Sequence, residues 1–174
     1  MVQTIVDCKE LENLHREFVD KMFPHFGLTV KPEYALVAVR PLLSDGGWGI
    51  DEKGKPIIKV NDILNAEESR FTIYHESSHH LHPQARKWQR NVSEENRTLG
   101  EIIAHLGSLV FLQTYNKGDE LEKYISSGEG TYGFLLAHDI FRGDKSILAK
   151  IANMNMRDAE KLFGKHLQRP IYQD

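Results

Sequence analysis

The chain has 174 residues, with 22 Lys plus Arg against 25 Asp plus Glu, a formal net charge of −3 and no long run of one sign. That balance leaves no basic footprint for nucleic acid, and the single cysteine, Cys8, excludes an internal disulfide framework or a cysteine-rich zinc site. No apolar stretch reaches membrane-spanning length, and Met1 to Glu10 carries neither a basic leader nor an apolar h-region, so one soluble, cytoplasmic domain (1–174) without membrane or nucleic-acid partners is expected.

Between Lys9 and Phe26 the apolar residues Leu11, Leu14, Phe18 and Met22 recur at helical spacing, and Gly27 supplies a stop. Tyr34 to Val39 is apolar and β-prone. Gly49 to Asn61 reads as a hairpin, with Asp51-Glu52-Lys53-Gly54-Lys55 as its turn and Ile57, Ile58 and Val60 on the returning strand. Asn65 then caps a helix that begins near Ala66. Glu67 and Glu68 fall in its first turn, Glu68 at the capping-box position, and Pro83 ends it by driving the preceding residue out of the helical region. Phe71, Tyr74, Ser78 and Leu81 line one edge of this helix, and His75, His79 and His82 line the next. Ser93 caps a second long helix reaching Tyr115, with Glu94 and Glu95 in its first turn. Asp119 to Ser126, Tyr132 to Phe141, Lys145 to Ala152 and Arg157 to Leu167 are also helical in pattern. Strands followed by helices define an α+β fold, with a small sheet packed on the helix after residue 65.

His75-Glu76-Ser77-Ser78-His79 carries the chemistry. One helical turn places residues i and i+4 on the same face, so the two imidazoles can ligate one divalent ion, while Glu76 projects beside it. There Glu76 would act as general base toward a zinc-bound water. A catalytic zinc takes three protein ligands and keeps an open position, so one more donor is needed. A metzincin-type histidine would require Gly at position 82 and His at position 85, where this chain has His82 and Ala85. The second helix offers Glu101 as the third ligand. His105, one turn later on the same side, is the alternative ligand or an orienting partner for one, and His80 and His82 are expected at the surface or beside the ligands. Gly100, Ala104 and Gly107 form a strip of small residues that would let another helix approach this face closely.

The segment Pro56-Ile57-Ile58-Lys59-Val60-Asn61 followed by Arg70-Phe71-Thr72-Ile73-Tyr74-His75-Glu76-Ser77-Ser78-His79-His80-Leu81-His82 resembles the core of the ImmA/IrrE-like peptidases, a branch of the gluzincins. Glu101-Ile102-Ile103-Ala104 resembles their later Glu-x-x-Ala segment, and the small single-domain minigluzincins are similar in the same way. The resemblance spans the middle third of the chain. It implies a zincin-like fold with a mostly antiparallel sheet, one zinc ion held by His75, His79 and Glu101, and Glu76 as general base. Two departures stand out. Ser77-Ser78 replaces a frequent Leu-Gly, and His105 stands where thermolysin-like relatives place an aspartate supporting a zinc histidine. No helix-turn-helix segment accompanies the motif, so cleavage of a transcriptional repressor is not implied.

The expected function is therefore zinc-dependent hydrolysis of peptide bonds, as an endopeptidase acting on a peptide or protein, with the oligomeric state open. Trp48 to Asp51 is the candidate lip on which an extended substrate would pair. Tyr124, Tyr132 and His138 are candidate donors to the oxyanion. Two other readings compete: a non-proteolytic zinc-binding regulatory or interaction protein on the same fold, and a di-iron bundle built on Glu12-x-x-His15 with Glu76-x-x-His79.

Overall fold

The protein is described by a computed structural model covering residues 7–85, 93–115, 117–128 and 132–168. Helix α1, Cys8–Met22, starts where the Asp7 carboxylate accepts from the Lys9 amide, and it buries Leu11, His15, Phe18, Val19 and Met22. A 3-10 turn, Phe23–Phe26, closes on Gly27, whose φ of 76° suits a residue without Cβ. Three strands follow: β1 (Leu36–Arg40), β2 (Gly46–Ile50) and β3 (Pro56–Asn61).

The sheet order is β1-β3-β2. In the turn between β2 and β3, Asp51 Oδ1 accepts from the Lys53 and Lys55 amides, and this turn makes that pair antiparallel, with Trp48 opposite Ile58. The other edge of β3 is taken by β1, which runs parallel to it with Leu36 opposite Ile57. The expected mostly antiparallel sheet is therefore mixed, one pair of each kind. The hairpin turn fixes β2 locally, whereas β1 reaches β3 through a crossover that no local signal marks. β2 also starts at Gly46, three residues earlier than the pattern suggested. Strand and helix meet there so closely that a Cβ on Gly46 would lie 2.4 Å from Thr72 Cγ2 and 2.9 Å from the Lys59 carbonyl.

Helix α2 (Ala66–Leu81) has the anticipated capping box: Asn65 accepts from the Glu67 and Glu68 amides, and Glu68 accepts from the Asn65 amide. Helix α3 (Glu94–Thr114) is capped by Ser93. The remaining helices are α4 (Gly118–Gly128), α5 (Tyr132–Phe141), α6 (Ile147–Ala152) and α7 (Met156–Phe163). The single helix anticipated over 157–167 divides at Gly164, where φ is 54° and a 3-10 turn, Gly164–Gln168, takes over.

The core lies where α1, α2 and α3 meet. Phe111 of α3 packs 4.8 Å from Phe18 and 5.0 Å from Tyr74, ring centre to ring centre, and all three side chains are fully buried. Gly107 lets α2 and α3 touch: a Cβ there would meet Ser78 Oγ at 2.4 Å and Phe26 Cζ at 2.8 Å. Helix α4 is tied to α2 by Lys123–Glu67 at 2.6 Å and by Tyr74 donating to Glu120 at 3.3 Å. Near the end of the described chain, Asn153 donates to the Phe26 carbonyl at 2.8 Å, closing the end of the first helical segment. Among the described residues no helix is long and apolar enough to cross a membrane.

Candidate metal centre

The close approach of α2 and α3 decides the geometry of the site. Gly100 sits against His79, with room for a Cβ at 3.8 Å from Cε1, and two turns on Gly107 sits against Ser78. Glu101, next to Gly100, therefore points at the histidine edge of α2. Its Oε2 lies 3.0 Å from His75 Nε2 and its Oε1 3.2 Å from His79 Nε2, and the two Nε2 atoms are 3.2 Å apart. Both histidine side chains are 16% exposed and Glu101 26%, so the cluster is partly buried rather than sealed in the core.

These donors suit a zinc ion. With metal–ligand bonds of about 2.0–2.2 Å, neighbouring ligands of a tetrahedral zinc are separated by roughly 3.3–3.6 Å, and the observed separations of 3.0–3.2 Å are a little shorter than that. Two imidazoles and a carboxylate without a thiolate are a ligand set of catalytic rather than structural zinc. A ring nitrogen of His105 also lies within 4.8 Å of the donor atoms of His75 and Glu101, defining an overlapping trio. The His75, His79 and Glu101 atoms are the tighter set, and they are the ones spaced as ligands of one small ion.

Charge inside the cluster is strongly coupled. Burial alone would raise the Glu101 carboxyl, but the His79 and His75 imidazoles outweigh it and hold it well below the usual range. For His79, burial would favour the neutral ring, yet the Glu101 carboxylate carries its pKa up to about 9. Burial also raises the Glu76 carboxyl, opposed by the charges of His79 and His75 and by the nearby Trp48 backbone amide. Glu76 is 7% exposed and lies under strand β2. The sequence pattern did not reveal that amide contact, because a main-chain donor leaves no residue-type signature.

His105 is placed beside the ligands rather than away from them. Its ring centre is 4.6 Å from that of His75, and its Nδ1 is 2.9 Å from the Tyr124 hydroxyl. Burial, with His75 and His79 adding to it, holds His105 well below its ordinary pKa, so it is a neutral imidazole. Gly133 of α5 makes this packing possible, since a Cβ there would be 3.4 Å from Glu101 Cβ and 3.5 Å from His105 Cδ2. Of the candidate oxyanion donors, Tyr124 thus approaches the cluster through His105. His138 is exposed and stacks on Phe134, and the side chain of Tyr132 lies outside the described residues.

The other histidines of the motif region are interior. His80 and His82, expected at the surface or beside the ligands, are 4% and 3% exposed, because α2 is covered by the loop before β1 as well as by the sheet and α3. His15 accepts the Ala35 amide on Nε2 at 2.9 Å, so its Nδ1–H donates to Ser77 Oγ at 2.8 Å. With one nitrogen tying α1 to α2 and the other to the segment before β1, His15 is not available as an iron ligand, and the three-stranded sheet is foreign to a helical bundle.

No family model, curated protein or solved structure matches the chain.

Proposed function

We propose that the chain is a zinc-dependent metallopeptidase, of the type that the ImmA/IrrE-like resemblance implies. The observation that carries this reading is the convergence of His75, His79 and Glu101 donor atoms within 3.0–3.2 Å, with a buried glutamate, Glu76, on the same helix turn. Zinc in that position supplies Lewis acidity toward a peptide carbonyl and toward water.

The chain's own groups do the rest. Glu76, its pKa raised by burial, takes the proton of the attacking water and then delivers it to the leaving amine. The Trp48 amide faces the Glu76 carboxylate from strand β2. Strand β2 is terminal in the sheet and lies over the motif, so it offers the lip on which an extended peptide or protein substrate would pair by its main chain. A cytoplasmic setting, with neither nucleic acid nor membrane as partner, completes the reading.

A second reading is favoured by one feature, the nearness of His105 to His75 and Glu101. As a fourth donor, His105 would close the coordination shell and leave a non-proteolytic zinc-binding protein with a regulatory or interaction role. Glu76→Gln separates the two. As a peptidase, the wild type cleaves members of a diverse peptide library, the variant loses cleavage by at least about a hundredfold, and both hold one zinc per chain. A zinc-loaded wild type that cleaves nothing in the library refutes the peptidase assignment.

A further inference from the structure

Strand β2 is fastened to helix α2 at two points. At Gly46 the backbone presses on Thr72, and a Cβ would also approach Glu76 Cγ to 3.5 Å. Two residues on, the Trp48 indole donates from Nε1 to His80 Nδ1 at 3.2 Å. An indole nitrogen only donates, so Nδ1 of His80 carries no proton, and its Nε2–H donates to the Glu33 carbonyl at 2.7 Å. His80 is 4% exposed, and its rotamer and tautomer are set from both ends. Trp48 is thus held by its side chain, and its backbone amide faces Glu76 from the same strand whose Gly46 approaches that side chain.

Building on the peptidase reading above, we propose that His80 is a positioning residue for the general base: through the Trp48 indole it fixes β2 so that the Trp48 amide stays on the Glu76 carboxylate. The effect of His80 runs along one strand residue, from indole to amide. A freed β2 would leave the carboxylate without its main-chain donor and free to rotate away from the water it activates, while His75, His79 and Glu101 keep their mutual spacing. The metal site and the base are therefore oriented by different elements, α3 for the first and β2 for the second.

Three variants test this: Trp48→Phe, which keeps the backbone amide and removes the indole donor; His80→Leu, which removes the acceptor; and His80→Asn, whose amide oxygen takes the place of Nδ1. The readouts are zinc content, the kcat and KM for a peptide cleaved by the wild type, and the solvent exchange of the Trp48 backbone amide by NMR. Trp48→Phe and His80→Leu are expected to lower kcat by about tenfold or more, a typical cost of losing an orienting partner, with zinc content unchanged. In His80→Leu the Trp48 amide is expected to exchange at least about tenfold faster, and His80→Asn is expected to recover most of both effects. Unchanged exchange in His80→Leu, or faster exchange with unchanged kcat, overturns the positioning role. A wild type that cleaves no peptide sinks the hydrolase reading and this role with it. A cleaving wild type whose His80→Leu and Trp48→Phe variants match it sinks the role alone.

Discussion

Gly100 and Gly107 lie two turns apart on α3, both against α2, yet alanine at the two positions is expected to act with opposite sign. In an exposed or open helical position Gly→Ala stabilises by about 1 kcal/mol through backbone entropy. At Gly100 the new Cβ meets His79 at 3.8–3.9 Å, ordinary van der Waals contact, so the full gain is available. At Gly107 it meets Ser78 Oγ at 2.4 Å, Phe26 Cζ at 2.8 Å and Ser78 Cβ at 2.9 Å. None of these atoms swings aside freely: Ser78 Oγ donates to the Tyr74 carbonyl at 2.9 Å, and Phe26 is fully buried. Overpacking of this kind costs about 1–3 kcal/mol, which offsets or exceeds the propensity gain. Gly100→Ala should be the more stable of the two variants by about 1–3 kcal/mol, and at about 2–4 °C per kcal/mol for a chain of this size the difference is resolvable by thermal unfolding. Unfolding should be followed by far-UV circular dichroism with a chelator present, so that metal binding does not contribute. A Gly107→Ala variant as stable as Gly100→Ala would refute the close helix approach on which the placement of Glu101 depends.

Zinc titration followed by calorimetry should give one ion per chain and raise the unfolding temperature, by linkage worth about 2.7 kcal/mol at a hundredfold excess over Kd. His79→Ala and Glu101→Ala should abolish that rise, whereas His105→Ala should weaken affinity by about 10–100-fold at most; the reverse order would transfer the site to the trio containing His105. His15 makes a pH prediction. Burial, with the charges of His80 and Arg16 adding to it, lowers its pKa from 6.5 to about 3 in the folded chain. The unfolded chain therefore binds the proton first, so the stability contributed by neutral His15 is present above about pH 6.5 and is lost as pH falls toward 3. Urea unfolding across that window should show His15→Gln with a shallower pH slope than wild type, the difference approaching about 1.4 kcal/mol per pH unit. Parallel slopes would contradict the buried, neutral state of His15.

What the sequence disclosed depended on how local each signal was. Asn65, Glu68 and Pro83 bracket α2 within one or two residues, and Ser93 marks the start of α3, because caps act through hydrogen bonds to neighbouring amides. The spacing of His75 and His79 and the small strip Gly100, Ala104, Gly107 foretold the helix contact that brings Glu101 to them. The parallel pairing of β1 with β3 was not legible, since no turn joins those strands. Nor was the start of β2: the hairpin pattern begins only at Gly49, and the approach of Thr72 reveals why Gly46, a residue without a side chain, begins the strand. His80 and His82 looked like surface residues because helical periodicity reports one buried stripe, whereas α2 is covered on several sides. The Trp48 amide on Glu76 was invisible for a simpler reason: every residue except proline has one.

The bond from Asn153 to the Phe26 carbonyl spans 127 residues. Synthesis proceeds from α1 toward α6, so the group that finishes the end of that segment is made 127 residues after the carbonyl it binds. Intermediates made before α6 thus leave the Phe26 carbonyl without this partner, and a product cut short there would retain the proposed ligands while lacking the clasp on the segment that follows α1.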